Sequence, residues 1–436
     1  MIRRRWVLGH SAEMRKGLTM KGSPTSRFVV AASTFLLLAG FAERAGSQGI
    51  VEIGDRSAPC HEDAACINRL HPAVPMAARA RPGDTLVLHT RNASDFDLDP
   101  EAPPDPRAGD PGYGTVHPLT GPVHIEGAEP GDVLKVRILD IDPGPWAYTS
   151  ISPIGFLSDE IEGPLRVLWR LNRDHAVSDD LPGIRIPNRS FPGIVTVLPG
   201  ADQLAEMTAR EARLLEAGGA VSPPSHVGHA SPREVCGEGG SHAGECLRTI
   251  PPREHGGNLD IRHLQAGASI LLPCSVPGCG LAIGDLHYAQ GDGEVSGTAL
   301  EMDATVTVTT ELIEDGPRLR RGPHYEGPST VLDIPSRSFY ATTGFPIKDA
   351  GKVPPDMAYL ESEKVAELEN LSKDISLAAR NALAEMIDHI SGTYGYTREQ
   401  AYIIASVAVD LRIGQLVDAP NVGVTAILPL DIIEQR

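Results

Sequence analysis

Residues 284–294 read GDLHYAQGDGE and place Asp285, His287, Gln290, Asp292 and Glu294 among three glycines. In an extended chain, side chains two apart point to the same face. Asp285 with His287, and Gln290 with Asp292 and Glu294, would each form such a row. Carboxylates beside an imidazole suit a divalent cation, which polarises a carbonyl and lowers the pKa of water while a further carboxylate serves as general base. Amide hydrolysis needs both tasks done. The competing reading is a polar β-turn in which Asp285 bonds its own backbone. That accounts for Asp285 but not for His287, Gln290, Asp292 and Glu294 so close by.

Two further stretches set polar groups beside glycine, VHPLTGP (116–122) and HGGNLDI (255–261). Glycine lets the backbone come close to a ligand. Common catalytic signatures are missing: the chain has no GxSxG elbow, no HExxH, no phosphate-binding loop and no GxGxxG.

These clusters lie on segments that read as strands. GDTLVLHT (83–90), PVHIEGA (122–128) and GDVLKVRILDID (131–142) are β-branched runs broken by turn residues. ASILLPCSV and LAIGDLHYAQ follow in 268–312, and MDATVTVTTEL (302–312) alternates with period two. The proline- and acid-rich stretch 95–113 excludes a continuous helix. Residues 201–219 have helical composition and end on glycines, and 220–256 is a loop excursion with His226, His229, His242 and His255 at no ligand spacing. Helical periodicity returns over 361–391 and 397–417, with Thr397 and Gln400 placed as a capping box. The expected architecture is α+β and mainly β: a sandwich- or barrel-like core, β-rich over 80–200 and 257–345, with a C-terminal helical part over 355–436.

The 436-residue chain carries a formal charge of −18. Residues 1–47 hold eight Lys/Arg against Glu13 and Glu43, which leaves the rest near −24. So acidic a surface repels phosphate backbones, and nucleic acid is not an expected partner. Basic residues followed by FVVAASTFLLLAGFA (28–42) and the small residues Ala45-Gly46-Ser47 read as an export signal spanning 1–47, with Met1 and Met20 both able to start it. An uncleaved anchor is the alternative, but the apolar run is shorter than the ~20 residues that span a bilayer. An exported, periplasmic or secreted protein is expected, without stable membrane insertion after cleavage. The six cysteines fall into close pairs, 60/66, 236/246 and 274/279, which predicts local disulfides, although spacing alone does not set connectivity. A zinc knuckle would want CxxC, and none is present.

VHPLTGPVHIEGAEPGDVLKVRILDI (116–141), PPREHGGNLDIRHLQAGASILLPCSVPGCGLAIGDLHYAQGDGEVSGTALE (251–301) and AYIIASVAVDLRIGQLVDAPNVGVTAILP (401–429) resemble the acetamidase/formamidase family from about residue 80 to the C-terminus. The resemblance implies a β-rich hydrolase that releases ammonia from short aliphatic amides, as a homo-oligomer. Placed on these motifs, Asp260, Asp285 and His287 are candidates for metal or water binding, with zinc foremost and calcium or another divalent ion as alternatives. Glu294, with Asp292 beside it and Gln290 in the same row, is the candidate base or proton shuttle. His117 and Asn258 are candidates for orienting the substrate carbonyl or amide. Where the family reads IPFRPFPG, this chain has IPNRSFPG; if Asn188 and Ser190 line the pocket, substrate size differs. The alternative function is a non-catalytic exported binding protein for a cation or small polar ligand.

Overall fold

The strand Glu301–Ile313 buries Met302, Ala304, Val306 and Val308 on one face, as its alternation predicts. It pairs antiparallel along most of its length with Val133–Ser150 on one side and Thr85–Thr90 on the other. Its first residues pair with the strand Cys279–His287, which carries the GDLH motif. Every residue of Cys279–His287 is buried. The reason is its neighbours: Phe191–Thr196 and Leu119–Ile125 both pair with it antiparallel. The motif therefore lies inside the sheet, where the near-continuous apolar run CGLAI suits a strand covered on both faces.

The structure is a computed structural model that describes residues 48–434, apart from 103–113, 154, 162, 217–226, 315, 317–318, 320–321, 333, 335, 354–356, 358–361 and 416–421. The expected export signal, His226 and the end of the proline-rich loop lie outside the described residues. Residues 48–436 make one compact unit. Its main sheet has fifteen strands and, among the described residues, does not close into a barrel. The chain is α+β and mainly β, as expected.

At the C-terminal end the helix Ile375–Tyr394 starts on Asp374, whose side chain accepts the Leu377 N–H, and stops at Gly395 in the left-handed region (φ 77°). The helix Arg398–Ala408 carries the capping box of Thr397 and Gln400. The helical reading overshoots on both sides. Residues 362–374 form turns and bends where described, and Asp410–Gln415 is a strand. After Val409 leaves the helix extended, DLRIGQ satisfies its backbone by pairing with Gly423–Pro429, which pairs in turn with Phe339–Gly344. Long-range pairing here overrides helical periodicity.

The cysteines pair locally as expected, Cys60–Cys66, Cys236–Cys246 and Cys274–Cys279. Among the described residues no helix is long and apolar enough to cross a membrane.

Candidate active site

Three adjacent strands set one row of side chains: Tyr148 stands opposite Glu301, and Glu301 opposite His287. On the far side of His287 comes Phe191, whose ring meets the imidazole edge-on at 5.1 Å. Directly opposed residues share a face, so Glu301 is brought against the GDLH motif from 14 residues downstream. His287 Nε2 lies 3.2 Å from Glu301 Oε2 and 3.4 Å from Asp285 Oδ1. All three side chains are almost wholly buried.

The other imidazole nitrogen is fixed by Gln290. The Gln290 amide nitrogen donates to the Asp260 carbonyl at 3.0 Å, which turns its oxygen toward His287 Nδ1, also at 3.0 Å. An amide oxygen only accepts, so Nδ1 carries a proton and the Nε2 side faces two carboxylates. Asp285 Oδ1, His287 Nε2 and Glu301 Oε2 are buried without a hydrogen-bond partner among the described residues. These three atoms lie close enough to hold one ion. Unpaired buried acceptors are costly, and the set calls for a positive charge, either a metal cation or a proton on Nε2. As a bare protein group His287 is raised well above the usual imidazole range: burial opposes its charge, but Glu301 and Asp285 outweigh burial. Burial likewise works against an ionised Asp285, yet the neighbouring His117 and His287 imidazoles hold it below the usual carboxylate range. Glu301 is raised, chiefly by burial.

Asp260 reaches the cluster from HGGNLDI. The strand Gly256–Asn258 pairs with Phe191–Thr196, and the Leu259 and Asp260 N–H groups both donate to the Gly193 carbonyl, at 3.0 and 3.2 Å. Asp260 Oδ1 is 4.0 Å from His287 Nδ1. Glu294 lies against Asp260, with carboxylate oxygens of the two within 4.8 Å of each other. Burial pushes Asp260 up to about 7, and burial with the Asp260 charge raises Glu294 well above the usual range. Two carboxyls so placed share a proton. A metal among Asp260, His287 and Glu294 would need the Nδ1 lone pair, which the proton donated to Gln290 occupies. Asp260, Asp285 and Glu294 all adopt positive φ, 48°, 56° and 44°. Such strain on non-glycine residues gathers at functional sites.

The structure thus brings Asp260, Asp285, His287, Gln290 and Glu294 together. His117 is adjacent: its charge couples to those of Asp285 and His287, and burial first, then His287, favours its neutral form. The Thr249 hydroxyl accepts the His117 N–H at 2.7 Å and lies 3.1 Å from Nδ1. Asn258, two residues before Asp260, buries an amide oxygen without a partner among the described residues. Asp292 is placed otherwise: it lies 3.2 Å from Arg262 Nε and is part of an ion-pair network. Asn188 and Ser190 bond each other at 2.6 Å, while Phe191 and Gly193 touch the cluster. Of the excursion histidines, His242 stacks on His71 at 4.1 Å beside Glu245. The Ala73 N–H occupies His71 Nδ1 at 3.0 Å, so Nε2 carries the proton of the neutral ring and is closed to a metal.

Glu301 and Gly193 were not singled out from the sequence. A Cβ at Gly193 would lie 2.7 Å from Asp260 Oδ1 and 2.8 Å from both Asp285 Oδ2 and His287 Cε1. Gly193→Ala is therefore expected to displace these groups, lowering turnover more than tenfold for about 1–3 kcal/mol of overpacking. Kinetics and thermal melting on the same preparation check this; unchanged turnover would refute it.

The profile of the Acetamidase/Formamidase family matches residues 53–435. A formamidase of Methylophilus methylotrophus is 30% identical over 402 residues, covering 88% of this chain and 93% of that protein. An acetamidase of Mycolicibacterium smegmatis is 33% identical over 382 residues, covering 80% and 86%. Among solved structures, the gamma lactamase from Delftia acidovorans superposes with a TM-score of 0.75 at 29% identity, covering 87% of this chain and 92% of that one. The motifs that converge on His287 thus lie within a match along nearly the whole described chain, and the chain belongs to the acetamidase/formamidase family of amide hydrolases.

Proposed function

We propose that this amidase hydrolyses short linear carboxamides to the carboxylic acid and ammonia, and that it does so after export. One observation carries the reading: two adjacent carboxyls, Asp260 and Glu294, stand beside the unpartnered set Asp285, His287 and Glu301. Asp285, His287, Gln290, His117 and Glu301 are all buried, so substrate approaches past the half-buried Asn258, Asp260 and Glu294. The likeness to formamidase and acetamidase relatives favours formamide- and acetamide-sized substrates.

Water adds to the amide carbon as the Asp260–Glu294 pair takes its proton. The pair then returns a proton to nitrogen as the C–N bond breaks, and ammonia leaves. Asn258 accepts from the substrate amide N–H, and neutral His117 orients the carbonyl. Asp285, His287 through Nε2 and Glu301 would hold a divalent cation, zinc foremost; Gln290 supplies the outer acceptor that metal-bound histidines usually have. Such a cation would supply polarisation of the carbonyl and a lowered pKa for water.

Export is supported by the leader at 1–47 and by three disulfides, which suit an oxidising compartment. Exposed Phe339, Phe345 and Ile413 offer apolar surface for the homo-oligomer we also infer. The test is a panel of short amides given to the purified protein, with ammonia measured and the N-terminus sequenced. Formamide or acetamide is expected to turn over fastest, by at least about tenfold over butyramide, with a mature N-terminus near Gln48. Ammonia from no amide overturns the enzymatic reading; a retained leader on protein recovered from its native source overturns export.

A further inference from the structure

Arg262 lies two residues beyond Asp260 and is 7% exposed. Its guanidinium forms a fork with the buried Asp410 carboxylate: Nη2 to Oδ2 at 2.9 Å, and Nη1 to Oδ1. Nη1 also donates to the Gln290 carbonyl at 3.3 Å, and Nε lies 3.2 Å from Asp292. One side chain therefore joins three stretches remote in sequence: the end of HGGNLDI, the QGDGE loop, and the strand after the last helix. That loop is held to the last helix at further points. Gly291 N–H donates to the Ser406 carbonyl at 2.8 Å, Ser296 N–H to the Ser406 hydroxyl at 3.1 Å, and the Tyr402 hydroxyl to the Val295 carbonyl. A Cβ on Gly291 would meet the Val409 carbonyl at 2.2 Å, so the loop rests directly on the helix end.

We propose that Arg262 is a positioning residue for hydrolysis, and that Asp410 holds it: together they set the separation of Asp260 and Glu294. The inference rests on the reading of that pair as the proton-transfer group. Its geometric basis is that Asp260 precedes Arg262 by two residues, while Glu294 follows Gln290 and Asp292, both of which Arg262 contacts. The Asp410 carboxylate reinforces the same tie, since it accepts the Asp292 N–H at 3.4 Å as well as the Arg262 fork. Planar bidentate geometry is what arginine supplies and lysine lacks.

The test compares Arg262→Lys and Asp410→Asn with Arg380→Lys. Arg380 is an equally buried arginine, paired with Asp159 at 2.8 Å and Glu160 at 3.0 Å on another part of the helical region. All three should lose thermal stability. Only the first two are expected to lose kcat per folded molecule, by about tenfold or more with KM within about twofold, because misplacement acts on the reacting geometry. Equal kcat in Arg262→Lys and Arg380→Lys overturns the proposal. If neither Arg262→Lys nor Asp410→Asn folds, Asp292→Asn decides, since it loosens the same link from its partly exposed side: a several-fold lower kcat supports positioning, and an unchanged kcat overturns it. Glu294→Gln run in the same assay separates the two ideas. An active Glu294→Gln removes the proton-transfer reading itself, whereas an inactive Glu294→Gln with normal Arg262→Lys removes only the positioning role.

Discussion

Glu294→Gln is expected to lower kcat for short amides by about a thousandfold with little change in KM, within the range of a lost acid–base group. Glutamine keeps the volume and can still donate a hydrogen bond to Asp260, so the fold should persist; what it cannot do is carry a proton. Asp260→Asn should cost a comparable factor, because in the proposed mechanism the two carboxyls handle one proton between them. Residues that act as a unit are not additive, so the double variant is expected to be no slower than the worse single one. Initial rates with acetamide, corrected for folded fraction, measure this. Near-normal turnover in Glu294→Gln would sink the assignment, and multiplied losses in the double variant would show two independent groups.

Part of this site is legible in the sequence because its residues are local. Asp285 and His287 stand two apart on a strand, and the period-two rule sends both to one face. Gln290 and Glu294 follow within a glycine-punctuated turn that returns to the same place. Glu301 is different. It opens an alternating strand whose partner and register are set by pairing with Val133–Ser150 and Thr85–Thr90, neither of which a local pattern reveals. Asp292 shows the converse: its spacing matches Glu294, but Arg262 draws its carboxylate into an ion pair. Gly193 gives no signal, since its meaning lies in three side chains packed where a Cβ would stand. The strands Thr85–Thr90, Val133–Ser150, Ser269–Pro273, Cys279–His287 and Glu301–Ile313 and the middle of both C-terminal helices are readable from alternation and capping; Phe191–Thr196 and Asp410–Gln415 are not, the latter because only its pairing with Gly423–Pro429 separates it from the preceding helix.

Asp285→Asn and Glu301→Gln are expected to abolish divalent-metal retention and to lower turnover by at least about a hundredfold. The reason is the acceptor count. With Nδ1 of His287 engaged by Gln290, the Nε2 side presents one imidazole lone pair and two carboxylate oxygens, all buried and all lacking hydrogen-bond partners among the described residues. Replacing one carboxylate by an amide removes an anionic ligand and leaves one imidazole, one carboxylate and a weak neutral oxygen, which hold a borderline cation poorly against water. Metal analysis of the purified protein should find about one divalent ion per chain in the parent and well under a tenth in either variant. Exhaustive chelation of the parent should remove activity, and zinc should restore it; in the variants excess zinc should restore it only in part. The alternative occupant is a proton, which gives an imidazolium between Asp285 and Glu301. That state needs no metal, so full activity after chelation identifies it. The two states also part in Gln290→Leu: an imidazolium keeps its charge without the outer acceptor, whereas a metal site that loses this acceptor is expected to bind about 10- to 100-fold more weakly.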